Sequence, residues 1–175
     1  MKIFFLLSVV SILYTACIRN SGKNRSESIS DNKIKNEIIA VAENYLANQL
    51  TEGKKTISAE GIITLDDNQK RYVIEPSKIY TGLIDDDTTE DAIISISTFR
   101  GKYQTVSEHL ILLKPDDDFM LVTTIESDMR IISVKDRIIT ADVPEHSRNT
   151  PLFDCPSCWE VVKYRFTNGE LVRME

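Results

Sequence analysis

Histidine and tryptophan are scarce in this chain, with two of the first and one of the second among 175 residues. Two histidines cannot supply a three-histidine zinc centre, and neither His109 nor His146 lies in an H-E-x-x-H stretch. The six glycines are too dispersed for a glycine-rich phosphate loop, and none belongs to a G-x-S-x-G nucleophile elbow. Cations are outnumbered, 21 Lys and Arg against 27 Asp and Glu, for a net charge of −6. An acidic surface repels phosphate backbones and anionic headgroups, which argues against a nucleic-acid partner and against electrostatic docking on lipid. No apolar run approaches the roughly 20 residues that a membrane-spanning helix needs.

The apolar residues that are present concentrate at the N-terminus. Met1-Lys2 makes a short positive start, Ile3–Leu13 is apolar except for Ser8 and Ser11, and the small pair Thr15-Ala16 precedes Cys17. That order, charge then a short apolar core then small residues, is a cleavable export signal over residues 1–16. Leu13-Tyr14-Thr15-Ala16-Cys17 resembles a bacterial lipoprotein signal, although Tyr14 stands where an aliphatic residue is usual. The resemblance implies that Cys17 becomes the lipid-bearing first residue of the mature chain, in the cell envelope. Acyl chains contribute about 0.8 kcal/mol per buried CH₂, so several on one cysteine anchor a protein without a spanning helix. Loss of residues 1–16 removes one cation, Lys2, and makes the mature chain more acidic still.

Residues 17–31 are dominated by Ser, Asn, Lys and Arg with isolated isoleucines, a composition that reads as a flexible tether. From Asn32 to Leu50, Ile34, Ile38, Val41, Tyr45 and Leu46 repeat at helical spacing, so one apolar stripe is expected to pack on a sheet. Beyond Gly53 the period becomes two. Ten strands are expected: 57–65, 72–75, 78–83, 92–99, 108–113, 119–125, 130–134, 137–141, 160–166 and 170–174. Asn168-Gly169 is the firmest hairpin signal, because both residues accept the positive φ angles of a type I′ turn. The predicted fold is a single α+β domain over residues 32–175, an N-terminal helix packed on a curved, mainly antiparallel β-sheet.

Two stretches could carry chemistry. Ile79–Ser97 encloses the acidic loop Asp85-Asp86-Asp87-Thr88-Thr89-Glu90-Asp91. It resembles the aspartate-rich G-D-L-N-G-D-G-x-x-D-A loops of secreted β-proteins, and the resemblance implies calcium held by Asp85, Asp87 and Asp91. Against the D-x-D-x-D-G pattern, Leu83 replaces the first carboxylate and Thr88 the glycine, which removes one ligand and stiffens the turn. A solvated acidic turn capped by Asp91 therefore competes with a weak calcium site. The second stretch, Asp154-Cys155-Pro156-Ser157-Cys158-Trp159, places two thiols three positions apart. A local disulfide between Cys155 and Cys158 is the first expectation outside the cytosol. Zinc, with His146 and Asp142, Glu145 or Asp154 as further ligands, and thiol redox chemistry are the alternatives. His109 opens an apolar strand and is expected to be packed or surface-facing.

Together the signal, the acidic loop and the helix-then-strands order resemble small envelope lipoproteins of unknown function found in Bacteroidetes-like bacteria. The implied role is a membrane-tethered, non-enzymatic binding or interaction module that meets another envelope protein and has no cofactor unless it is calcium.

Overall fold

The computed structural model describes residues 21–50, 53–67, 69–101, 103–144 and 159–175. The chain divides into two compact units, Met1–Asn36 and Glu37–Glu175. What is described of the first unit is helical: α1 (Ser21–Ala47) starts eleven residues before the sequence periodicity does. The stretch read as a flexible tether is thus helical from Ser21. No proline falls between Ser21 and Ala47, so nothing in that polar run interrupts the i→i−4 ladder. Leu46 closes the helix, its carbonyl accepting from the amides of Gln49 at 2.9 Å and Leu50 at 3.1 Å.

The second unit is mostly antiparallel β structure. A six-stranded sheet runs in sequence order through β1 (Lys54–Ile57), β2 (Ile63–Asp66), β3 (Arg71–Gly82), β4 (Asp91–Arg100), β5 (Tyr103–Leu113) and β6 (Met120–Ser127). A four-stranded sheet follows, also in sequence order, from β7 (Arg130–Lys135) and β8 (Ile138–Pro144) to β9 (Trp159–Thr167) and β10 (Glu170–Arg173). The single curved sheet of the sequence reading is therefore replaced by two sheets. Two boundaries also differ for clear reasons. The expected strand 57–65 is cut by a turn in which Gly61 takes φ 79° and donates to the Ser58 carbonyl. The strands expected on either side of Pro76 instead form one long β3, whose register against β4 shifts between Ile74 and Ile79.

Alternation assigns the faces. In β4, Ile94 and Ile96 stand opposite Leu110 and Glu108 of β5, and the Tyr45 hydroxyl of α1 donates to the Glu108 carboxylate at 3.0 Å. That face therefore meets the helix, whose Ile38, Ala42 and Leu46 are fully buried at i, i+4 and i+8. The opposite face carries Ile93 and Ile111, which join Ile84 and the second sheet's Ile131, Val134, Ile139 and Ala141 in one core, with Met129 from the link between sheets. Asp91 through Thr98 are all buried. A strand covered on both faces cannot alternate with polar residues, which is why Ala92-Ile93-Ile94 reads as a continuous apolar run.

Candidate functional site

The acidic loop joins β3 to β4 at one end of the six-stranded sheet. Side-chain oxygens of Asp85, Asp87 and Asp91 lie within 4.8 Å of one another, so the three residues singled out from the sequence do converge. Their environments differ sharply. Asp91 is fully buried, and its carboxylate accepts from the amides of Ile84 at 2.9 Å, Lys114 at 3.0 Å and Asp85 at 3.4 Å. Burial pushes its pKa above the ordinary carboxylate value, and those amide hydrogen bonds oppose the shift. Asp85 accepts from the Asp87 amide at 2.9 Å, and Asp87 from the Thr89 amide at 2.6 Å, two successive Asx turns. The loop thus turns on side-chain acceptors, with left-handed non-glycine residues found elsewhere, at Asp136, Arg137 and Asn168. Threonine at position 88 is accommodated for that reason.

A cation from the second sheet completes the loop. Arg137, in the β7–β8 turn, donates from Nε to the Asp85 carbonyl at 2.6 Å, and from one terminal nitrogen to the Asp86 and Asp87 carbonyls at 3.0 and 3.1 Å. Its guanidinium also lies 3.7 Å from the exposed Asp86 carboxylate. Nothing in the local sequence near Asp85 announces this partner, which comes from 52 positions away. Gly82 serves the same junction, since a Cβ there would fall 2.7 Å from the Val134 carbonyl oxygen of β7. A metal would find carboxylates that are already engaged by backbone amides and carbonyls that already hold a guanidinium.

A second polar group was not picked out from the sequence. Ser95 and His109 are cross-strand partners in β4 and β5, and Ser95 Oγ lies 2.8 Å from His109 Nδ1. Both are buried on the face toward the second sheet. Nearby, Lys78 Nζ donates to Ser97 Oγ at 3.2 Å and pairs with Glu75 at 2.7 Å. His109 is a packed histidine, one of the two alternatives left open by its place at the start of an apolar run. With 1% of its surface exposed, the ring cannot meet a substrate in this conformation.

Of the remaining sequence candidates, Cys17, Cys155, Cys158, Glu145, His146 and Asp154 lie outside the described residues. Asp142 is described, in β8 opposite Arg130 of β7. Arg130 in turn stacks 3.8 Å over the Trp159 ring. No helix among the described residues is long and apolar enough to cross a membrane. Set against known proteins, the chain matches no family model, no curated protein and no solved structure.

Proposed function

We propose that the protein is a membrane-tethered, non-enzymatic interaction module of a bacterial cell envelope, attached through lipid on Cys17. The observation that carries this reading is the N-terminal order of Lys2, the apolar Ile3–Leu13 and Thr15-Ala16-Cys17. The chemistry of the domain is in keeping with it. The Ser95–His109 pair is sealed between sheets, and the acidic loop is held by its own backbone amides and by Arg137 of the second sheet. The partner is another protein of the envelope. Crosslinking in intact cells followed by mass spectrometry should capture it. A Cys17→Ser protein should remain folded and lose both envelope attachment and the crosslink. Full function from a protein with no envelope attachment would remove the basis of the proposal.

A calcium-binding module is the second reading, favoured by the convergence of Asp85, Asp87 and Asp91. Calcium at 100 times its dissociation constant adds about 2.7 kcal/mol to folding stability. Thermal unfolding of the protein in millimolar calcium and in chelator therefore separates the readings. An upward shift with calcium supports a bound ion, and superimposable curves leave the loop as a self-sufficient structural turn.

A further inference from the structure

The second sheet has one face in the core and one turned away from it. Val162 stands opposite Ala141 and Tyr164 opposite Ile139, and these side chains belong to the core face. The residues between them therefore point outward. Apolar surface remains open there: Val161 is 61% exposed and Val172 is 51% exposed. Ile132 joins them because β7 carries one extra residue between its Ile131–Ala141 and Ser133–Thr140 pairs, a bulge that leaves Ile132 exposed. β9 opens with Trp159, the single tryptophan of the chain, two positions before Val161 and on the same side.

The charge on this face is the reverse of the chain's. Among the described residues, Arg130 and Lys135 of β7 and Lys163 and Arg165 of β9 face outward, against the carboxylates of Asp142 and Glu170. Arg173 stands opposite Tyr164 on the other side and is paired with Glu160 at 2.6 Å. The net charge of −6 describes the surface as an average, and this face departs from it. Its cations are interleaved with the apolar residues: Lys163 and Arg165 lie between Val161 and Val172, and Arg130 stacks 3.8 Å over the Trp159 ring.

We propose that the outward face of the second sheet lies on an anionic phospholipid surface, with Lys163 and Arg165 at the phosphates and Trp159, Val161 and Val172 at the acyl boundary. Lipid is the occupant because of where the charges sit. The centre of a protein–protein interface is depleted of charge, lysine above all, and keeps its polar groups at the rim. Here the cations occupy the middle of the patch. Lys and Arg stems lie along apolar surface while their charged ends reach headgroups, and tryptophan collects at the same depth of a bilayer. This rests on the tethered reading of the protein, since lipid on Cys17 keeps the face beside a bilayer and lets a weak surface attraction set its orientation.

The test uses the full chain with Cys17→Ser, which keeps the face and removes the acyl anchor, so its outcome does not depend on lipidation. Vesicles of phosphatidylcholine alone are compared with an equal mixture of phosphatidylcholine and phosphatidylglycerol. Trp159 fluorescence should be quenched by brominated acyl chains in the anionic vesicles and not in the neutral ones. Each cation at an anionic surface is worth about a fivefold gain in binding, so Lys163→Gln with Arg165→Gln should lower co-sedimentation with the anionic vesicles by roughly 25-fold. Lys54→Gln, on exposed β1 of the other sheet, should bind like the parent. Equal quenching in both lipids, quenching in neither, or a double variant that binds like the parent overturns the proposal. A Trp159 emission change that grows with protein concentration without vesicles assigns the face to a second copy and also overturns it. Should the double variant fail to fold, the quenching of the Cys17→Ser chain decides. The tethered reading fails separately, if fractionated cells hold the parent chain in the soluble fraction.

Discussion

Arg137 Nε donates to the backbone carbonyl of Asp85 at 2.6 Å, and this bond ties the turn of the second sheet to the acidic loop of the first. Asp136 and Arg137 both have positive φ, 52° and 63°, in the two-residue turn between β7 and β8. Glycine, asparagine or aspartate is the ordinary occupant of such positions, because a Cβ there crowds the following carbonyl at roughly 1 kcal/mol. The arginine bears that cost while its side chain holds three consecutive carbonyls. A guanidinium takes the place that a cation would have in a metal-organised loop.

Removing this side chain should loosen the junction. Arg137→Ala is expected to lower unfolding stability by about 1–2 kcal/mol, the range for charge-assisted hydrogen bonds at a partly exposed site. Arg137→Gly loses the same bonds and relieves the left-handed backbone, so it should unfold at higher denaturant than the alanine variant by an equivalent of about 1 kcal/mol. Equal midpoints for the two variants would show that the turn carries no such strain.

Asp91 presents the larger effect. Asp91→Ala leaves the amides of Ile84, Asp85 and Lys114 without their acceptor, two of them at ordinary hydrogen-bond distance. A loss of about 3 kcal/mol or more is expected in denaturant unfolding, since each orphaned buried donor costs about 1–3 kcal/mol. Asp91→Asn keeps one carbonyl oxygen and should fall between the alanine variant and the parent. Because burial raises the Asp91 pKa, its ionisation opposes folding. That contribution is absent below the unfolded carboxylate pKa and grows as pH rises through the folded one.

Gly82→Ala tests the close approach of the sheets. The new methyl group would meet the Val134 carbonyl oxygen at 2.7 Å, a contact with backbone that cannot rotate away. The expected outcome is destabilisation by about 1–3 kcal/mol with a matching drop in melting temperature. Gly101, around which a Cβ meets nothing within 4 Å, serves as the control for the loss of glycine alone. Its φ of 61° makes any cost there a backbone cost.

Acid should weaken the fold through His109. A folded pKa near 4 against about 6.5 unfolded means that its neutral form favours the native state. The stabilisation is complete above pH 6.5 and is lost as pH falls toward 4, by about 3 kcal/mol over that range. Urea unfolding of the parent and of His109→Gln at pH 7.5 and pH 4.5 measures it. The gap between the pH-dependent losses of the two proteins should approach that figure, and parallel losses would assign acid sensitivity to the carboxylates.

Much of the local structure was legible along the chain because short-range chemistry decides it. The helical stripe through Ile38 and Leu46, the strand run Ala92-Ile93-Ile94 and the Asn168-Gly169 turn, with φ of 53° and 86°, all follow from period and turn residues. The convergence of Asp85, Asp87 and Asp91 follows from a loop too short to separate them. Helix within residues 21–31 was not legible, because its side chains carry no apolar stripe; an unbroken backbone ladder is the feature that admits it.

What residue order alone determined, then, is the helix-before-strands order and an acidic loop whose carboxylates face one another. Only the tertiary structure decided that the strands divide into two sheets after β6. The same holds for the cation of that loop, which is Arg137, and for His109, which is shut in beside Ser95. The reason is the range of the forces. Hydrogen-bonded turns and hydrophobic period act over a few residues and are written locally, whereas burial and the pairing of Arg137 with Asp85 exist only after strands 52 positions apart have met.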